Sequence, residues 1–173
     1  MSFQSLMMWL RLVHILAGTF WVGSAITFAG FIYPAVRASG PAGPRVMRQL
    51  MEHRKLTLGF SISATFTVLS GIAMYAAIGA GGFDAWVRSP MGATLGVGAI
   101  AALIAAGIGS GVAAPAGRRL QTLSARMATA TGAPSADSLA EIARAQATLG
   151  RASVASAVLL TIAAAAMATA RYV

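Results

Sequence analysis

Four uncharged apolar runs divide the chain, at residues 12–36, 56–83, 91–117 and 152–170. Each is long enough for a membrane's hydrocarbon core, which takes about 20 helical residues. The runs are continuous instead of alternating, and rich in Ala, Leu and Gly, which argues for helices over strands. The pattern predicts an all-α fold: an antiparallel four-helix transmembrane bundle in one domain over residues 1–173, with spans near 7–34, 55–80, 91–114 and 152–171. In the first span, Arg11, His14, Gly18, Trp21, Ala25, Phe28 and Ile32 recur at spacings of three and four. On a helix they make one stripe, polar at one end, with a glycine gap beside the histidine.

The segments between spans carry their own periodicity. A proline disfavours helical geometry in the residue before it, so the first helix is expected to end near Tyr33-Pro34. Residues 39–44 read as a turn, and Pro44 suits the start of a new helix. Val46, Met47, Leu50, Met51 and Leu58 then keep helical spacing, which predicts a second helix that begins outside the membrane and runs unbroken into its span. Glu52 falls four residues after Arg48, a modest surface pair. Residues 79–89 form a short connection, with Phe83 and Trp86 suited to the interface. Pro90 opens the third helix, where Gly92, Gly96, Gly107 and Gly111 have the small-xxx-small spacing that permits close helix packing. Leu120, Leu123 and Met127 share a face of a helix over 118–130, and residues 132–135 break it. Ser138 with Glu141 fits a capping box. Leu139, Ile142, Gln146 and Leu149 then lead into the fourth span. The third and fourth helices are therefore expected to project beyond the membrane as a hairpin over 115–151. The second helix joins it through Leu50 and Met51, and Pro115 kinks the third helix near the surface.

Composition supports the membrane class. The chain is 57% hydrophobic and 10% charged, against about 25% charged in a soluble domain. The absence of cysteine excludes disulfides, thiolate metal sites and cysteine nucleophiles. No charged leader or small-residue cleavage site precedes the first run, so it is expected to be a retained span. The net charge of +9 comes from thirteen Lys and Arg residues, ten of which fall in the first and third connections. That clustering points away from nucleic acid and toward the positive-inside rule. It places those connections, and the extensions of helices 2, 3 and 4, in the cytoplasm of a bacterial inner membrane, against anionic headgroups. Both termini then lie outside.

Candidate chemistry is sparse. His14 lies in the outer third of the first helix and His53 at the inner start of the second. About 20 residues of rise, roughly 30 Å, keep them from sharing one iron or metal ion. Antiparallel folding brings Met74, Met91 and Met167, with Met7 and Met8, to the depth of His14. Imidazole and thioether suit Cu(I), and a His/Met pair suits haem iron. Gly18 leaves space for a flat macrocycle or for a close helix. Against this stand plainer roles: methionine fills cores, and His14 can hydrogen-bond across helices to Thr or Ser. Arg11 can meet a haem propionate or snorkel to anionic lipid, and Trp21 in mid-span suits packing. His53, beside Arg54 and Lys55, reads as solvated. The spans hold no carboxylate, which removes a carboxylate proton relay. No serine nucleophile, phosphate loop or carboxylate pair appears, so the pattern leans away from an enzyme and assigns no catalytic residue.

Leu12-Val13-His14-Ile15-Leu16-Ala17-Gly18, followed by Phe20-Trp21-Val22-Gly23, resembles the first-helix motif of copper-resistance D-type membrane proteins and their four-helix relatives. Small bacterial protoporphyrinogen oxidases and four-helix b-type cytochromes carry similar first helices. The resemblance covers about the first third of the chain and implies a four-helix membrane protein that handles haem b or copper, with His14 as the one ligand carried over. The chain departs from the bis-histidine pattern, because its other three spans contain no histidine. Two readings follow. In one, His14, Arg11, Gly18 and Trp21 line a cofactor, or His14 joins Met74, Met91 or Met167 on a metal. In the other, the protein binds no cofactor and is a structural or accessory subunit beside other membrane proteins or copies of itself. A small transporter is a weaker third reading, since broken helices and buried charges are missing.

Overall fold

Four long helices carry the fold. The computed structural model describes residues 2–129 and 135–173, apart from the side chains of Pro41, Glu52 and Ala128. Helix α1 runs Phe3–Ala38, and α2 is the short Gly43–Arg48. Helix α3 spans Leu56–Gly79 and α4 Phe83–Arg88. Helix α5 begins at Pro90 and continues to Thr129, and α6 begins at Ala136 and reaches Thr169. The described residues contain no strand. The helices α1, α3, α5 and α6 are each long and apolar enough to cross a bilayer, which makes this a multi-pass membrane protein. Both termini lie at one end of the bundle, and the two arginine-rich connections at the other.

Prolines inside two of the long helices are accommodated in the same way. A π turn over Phe28–Ile32 precedes Pro34, and another over Gly109–Ala113 precedes Pro115. In each, the residue before the proline donates its N–H five residues back, Tyr33 to Phe28 and Ala114 to Gly109. A proline in a regular helix lacks its own donor and clashes with the carbonyl four residues earlier. The wider turn moves that carbonyl aside. The first helix therefore does not stop at Tyr33-Pro34, as the dipeptide predicts, but continues to Ala38. Pro115 is absorbed likewise.

The second helix is broken where continuity was expected. Its apolar periodicity continues across a π turn at Gln49–His53, but Arg54 closes that turn and Lys55 takes a left-handed conformation, φ 51°. A residue with a Cβ pays about 1 kcal/mol there, and the result is a corner between α2 and α3. At the start of α6 the cap is Ser135, not Ser138. The Ser135 hydroxyl accepts from the Ser138 N–H at 3.2 Å, and Ser138 sits inside the first turn. Glu141, released from capping, pairs with Arg119 at 2.6 Å across the hairpin. Leu139 turns out exposed; the buried stripe of this segment runs through Ala145 and Leu149. The Gly132-Ala133-Pro134 break lies outside the described residues, as does the proposed Arg48–Glu52 pair.

Packing is most extensive between α5 and α6 and between α1 and α3, with α1 also against α6. The main core joins Trp21 and Ala25 of α1 to Ala101, Ala102 and Ala105 of α5 and Leu160 and Ala163 of α6. Small residues dominate because helices in lipid gain by backbone approach, not by escaping water. Gly98 of α5 is a tight point: a Cβ there would lie 3.1 Å from Ala166 Cβ and 3.2 Å from the Ala163 carbonyl. Of the glycines with small-xxx-small spacing, Gly107 and Gly111 meet nothing, Gly96 faces the Tyr75 hydroxyl and Gly92 faces the Trp86 carbonyl. A second cluster at the arginine-rich end gathers Phe28, Tyr33, Ala116 and Leu149, with Met47, Met51 and Leu120 against it. Met51 thus does join the hairpin. At the opposite end Tyr75 donates to the Gly92 carbonyl at 3.0 Å and packs edge-on against Phe83 and Trp86.

Candidate functional site

Helix α3 carries three buried hydroxyls on one face, Ser63, Thr67 and Ser70. Each returns its proton to its own helix: Ser63 to Phe60 O at 3.1 Å, Thr67 to Ser63 O at 2.7 Å and Ser70 to Phe66 O at 2.5 Å. Such back-bonding lets a hydroxyl sit at membrane depth without another partner. Gly71 adjoins them and leaves a notch.

His14 of α1 fills that notch. Its Nδ1 lies 2.8 Å from the Thr67 carbonyl and 3.2 Å from Ser70 Oγ. A carbonyl only accepts, so Nδ1 carries a proton and donates. In the neutral imidazole this fixes the tautomer and leaves the lone pair on Nε2. A Cβ at Gly71 would come within 2.9 Å of His14 Cε1, so the ring occupies the space that glycine vacates. One turn along α1, a Cβ at Gly18 would lie 3.6 Å from Thr67 Cγ2. The gap beside the histidine is thus taken by the neighbouring helix.

The other candidates distribute as follows. Trp21 is buried in the main core among alanines and Leu160, where it packs. Arg11 is exposed, one turn further out than His14. Met7 is buried two turns out on the His14 stripe, while Met8 is exposed. Met74 is half-buried one turn beyond Ser70, on the face of α3 that meets α1. Met91 and Met167 are half-buried on the other helix pair. The Gly98 contact with Ala163 and Ala166 sets Met91 opposite residues 170–173, so Met167 lies about a turn deeper. Depth is shared roughly, but the two helix pairs divide the methionines. His53 is exposed just before α3 begins at Leu56. Since His14 abuts Gly71, about fifteen helical rises, some 22 Å, keep the two histidines apart. Among the described residues no group of three His, Asp or Glu side chains could hold a metal ion. Thr67, Ser70 and Gly71 were not singled out from the sequence, though a serine-threonine-serine stripe at helical spacing in an apolar span was a readable signal.

Compared with models of protein families, with curated proteins and with solved structures, the chain matches none.

Two shallow grooves flank α1. One, of about 320 Å³, is lined by Thr19, Phe20, Gly23, Ser24 and Thr27 with Ile32 and Leu56. The other, of about 390 Å³, runs between α1 and α6.

Proposed function

We propose that this protein is a non-catalytic accessory subunit of a larger assembly in a bacterial inner membrane, in which His14 ties α1 to α3. The observation that carries this reading is the first groove. Thr19, Gly23 and Thr27 stand four residues apart on the outer face of α1, and nothing lies within 4 Å of a Cβ at Gly23. Thr19, Ser24 and Thr27 cluster in this groove and make no side-chain hydrogen bond among the described residues, whereas the buried hydroxyls of α3 bond their own helix. A small, polar face turned toward lipid is the kind of surface on which membrane helices associate. A Gly23→Cys variant is expected to cross-link to one discrete partner, or to a second copy, in native membranes, while Leu69→Cys on the exposed face of α3 stays unlinked. A Gly23→Cys chain that remains a lone monomer would sink the reading.

The charge asymmetry supports an orientation with both termini outside and the arginine-rich connections in the cytoplasm. Cysteines placed singly at Ser2 and Ser135 are then labelled by an impermeant reagent from opposite sides; labelling of both from one side removes the four-span topology.

A second reading keeps haem b or copper, and one observation favours it. With Nδ1 donating to Thr67, Nε2 of a neutral His14 has the lone pair a metal takes, held by a partner on the other nitrogen. Met74, on the same interhelical face, suits Cu(I) as a thioether ligand. A macrocycle fits less well, because Thr67 takes the space beside Gly18. Metal analysis and an absorption spectrum with and without dithionite test it; neither stoichiometric metal nor a Soret band leaves the accessory reading alone.

A further inference from the structure

The second groove has a feature that its apolar lining does not explain. Ile26, Ala29 and Gly30 of α1 form one wall, and Val154, Ala157, Val158, Thr161 and Ile162 of α6 the other. The Thr161 hydroxyl is turned back to the Ala157 carbonyl at 2.8 Å, so the lining presents no free donor. The floor is small, and nothing lies within 4 Å of a Cβ at Gly30. Along α6 the lining covers eight rises, about 12 Å, parallel to the helices and therefore to the bilayer normal. Toward the arginine-rich end, past Gly30, Tyr33 of α1 bridges to α6. Its hydroxyl donates to the Gln146 carbonyl at 2.5 Å, and its ring rests on Gly150.

Beyond Tyr33 an arginine follows on each of the two helices. On α6, Arg151 lies three residues before Val154 and seven before Val158, so it continues the lining stripe. On α1, Arg37 lies one regular helical turn after Tyr33, whose ring and hydroxyl meet α6, so it follows Tyr33 toward the headgroup level. Both are exposed. An apolar channel along the bilayer normal with two cations at its headgroup end complements one kind of molecule.

We infer that the α1–α6 groove with Arg37 and Arg151 is a binding site for an anionic phospholipid, one acyl chain lying between α1 and α6 and the phosphate between the two guanidiniums. The lipid seals the groove between the two helices. Tyr33 separates chain from headgroup, and the fork geometry of arginine suits phosphate oxygens. Gly30 lies two turns from Gly23, so this groove adjoins the proposed association face; lipid counted on the isolated chain in detergent reads it separately from cross-linking in native membranes.

The test uses the full chain in mild detergent, offered phosphatidylglycerol or phosphatidylcholine with matched acyl chains, with bound lipid counted by native mass spectrometry. The wild type is expected to retain one phosphatidylglycerol at about tenfold lower lipid concentration than phosphatidylcholine, given the attraction per arginine near a headgroup. Arg37→Gln/Arg151→Gln is expected to bring the ratio near one. Gly30→Leu, whose Cβ meets no neighbour and whose side chain fills the groove, is expected to lower retention of both lipids while circular dichroism shows the wild-type helix content. Arg45→Gln/Arg48→Gln removes the same charge elsewhere and should leave the preference in place. If that control erases the preference equally, the attraction is diffuse and the site is wrong. Unchanged retention in Gly30→Leu overturns the groove as the chain's seat.

Discussion

Gly98→Leu is expected to destabilise the bundle by about 2–3 kcal/mol, because overpacking a close helix contact forces backbones apart. The first atom of the new side chain already meets Ala166 Cβ at 3.1 Å and the Ala163 carbonyl at 3.2 Å. Neither neighbour can rotate away: one is a methyl on a helix, the other backbone. Ala101, Ala102 and Ala105 on the same helix would lose contact with Leu160 and Ala163 as α5 moves. The comparison that isolates this effect is Gly107→Leu. Gly107 is on the same helix, is exposed, and meets nothing within 4 Å. There leucine should be neutral within about 0.5 kcal/mol, or slightly stabilising through its better helix propensity. Midpoints of thermal unfolding in detergent, followed by circular dichroism for both variants, check it. Equal midpoints would mean that α5 and α6 do not meet as described.

The same pair of glycines shows what the sequence could carry. Span number, helical class and the hairpin followed from hydrophobic run length and from breaks in periodicity, both local. Which glycine of the third helix touches a neighbour depends on the rotation of that helix against α6, and no local pattern encodes it. Gly107 and Gly111 had the expected spacing yet face outward, while Gly98, outside that spacing, carries the contact. The expected helix end at Tyr33-Pro34 failed for a related reason. The rule for the residue before proline assumes a regular helix, and the π turns ahead of Pro34 and Pro115 change the geometry on which the clash depends. At the start of α6, Ser138 and Glu141 had the spacing of a capping box, but Ser135 caps one turn earlier and Arg119, distant in sequence, claims Glu141. The His14 stripe itself was legible, with Trp21, Ala25 and Phe28 buried along it. Its partner face was legible only as a class of residue, a threonine or serine, until the register of α1 against α3 was known.

That register makes His14 the residue whose role can be decided most sharply. If it is a tie, His14→Ala should cost about 2 kcal/mol: an interhelical hydrogen bond in a membrane protein contributes roughly 0.6–2 kcal/mol, and the emptied notch adds a cavity term. The Thr67 carbonyl would lose the Nδ1 donor at 2.8 Å but stays within the backbone ladder of α3, which limits the loss. His14→Phe keeps the bulk without the donor and should fall between the two. The decisive pair is His14 with Gly71. In the wild-type background Gly71→Leu drives a side chain into the imidazole, whose Cε1 would stand 2.9 Å from the new Cβ. In a His14→Ala background the same leucine enters the space that the imidazole has left, and the penalty should shrink or reverse. A double-mutant cycle on unfolding midpoints should therefore give a coupling of about 1 kcal/mol or more, of the sign that marks mutual compensation. A ligand role predicts something else: filling the notch would restore stability but neither metal content nor an absorption band, and His14→Ala would remove both. Recovery of stability in His14→Ala/Gly71→Leu, with no cofactor signal in the wild type to lose, identifies the histidine as packing and hydrogen bonding between α1 and α3. Additive losses in the cycle would separate His14 from Gly71 and remove the tie.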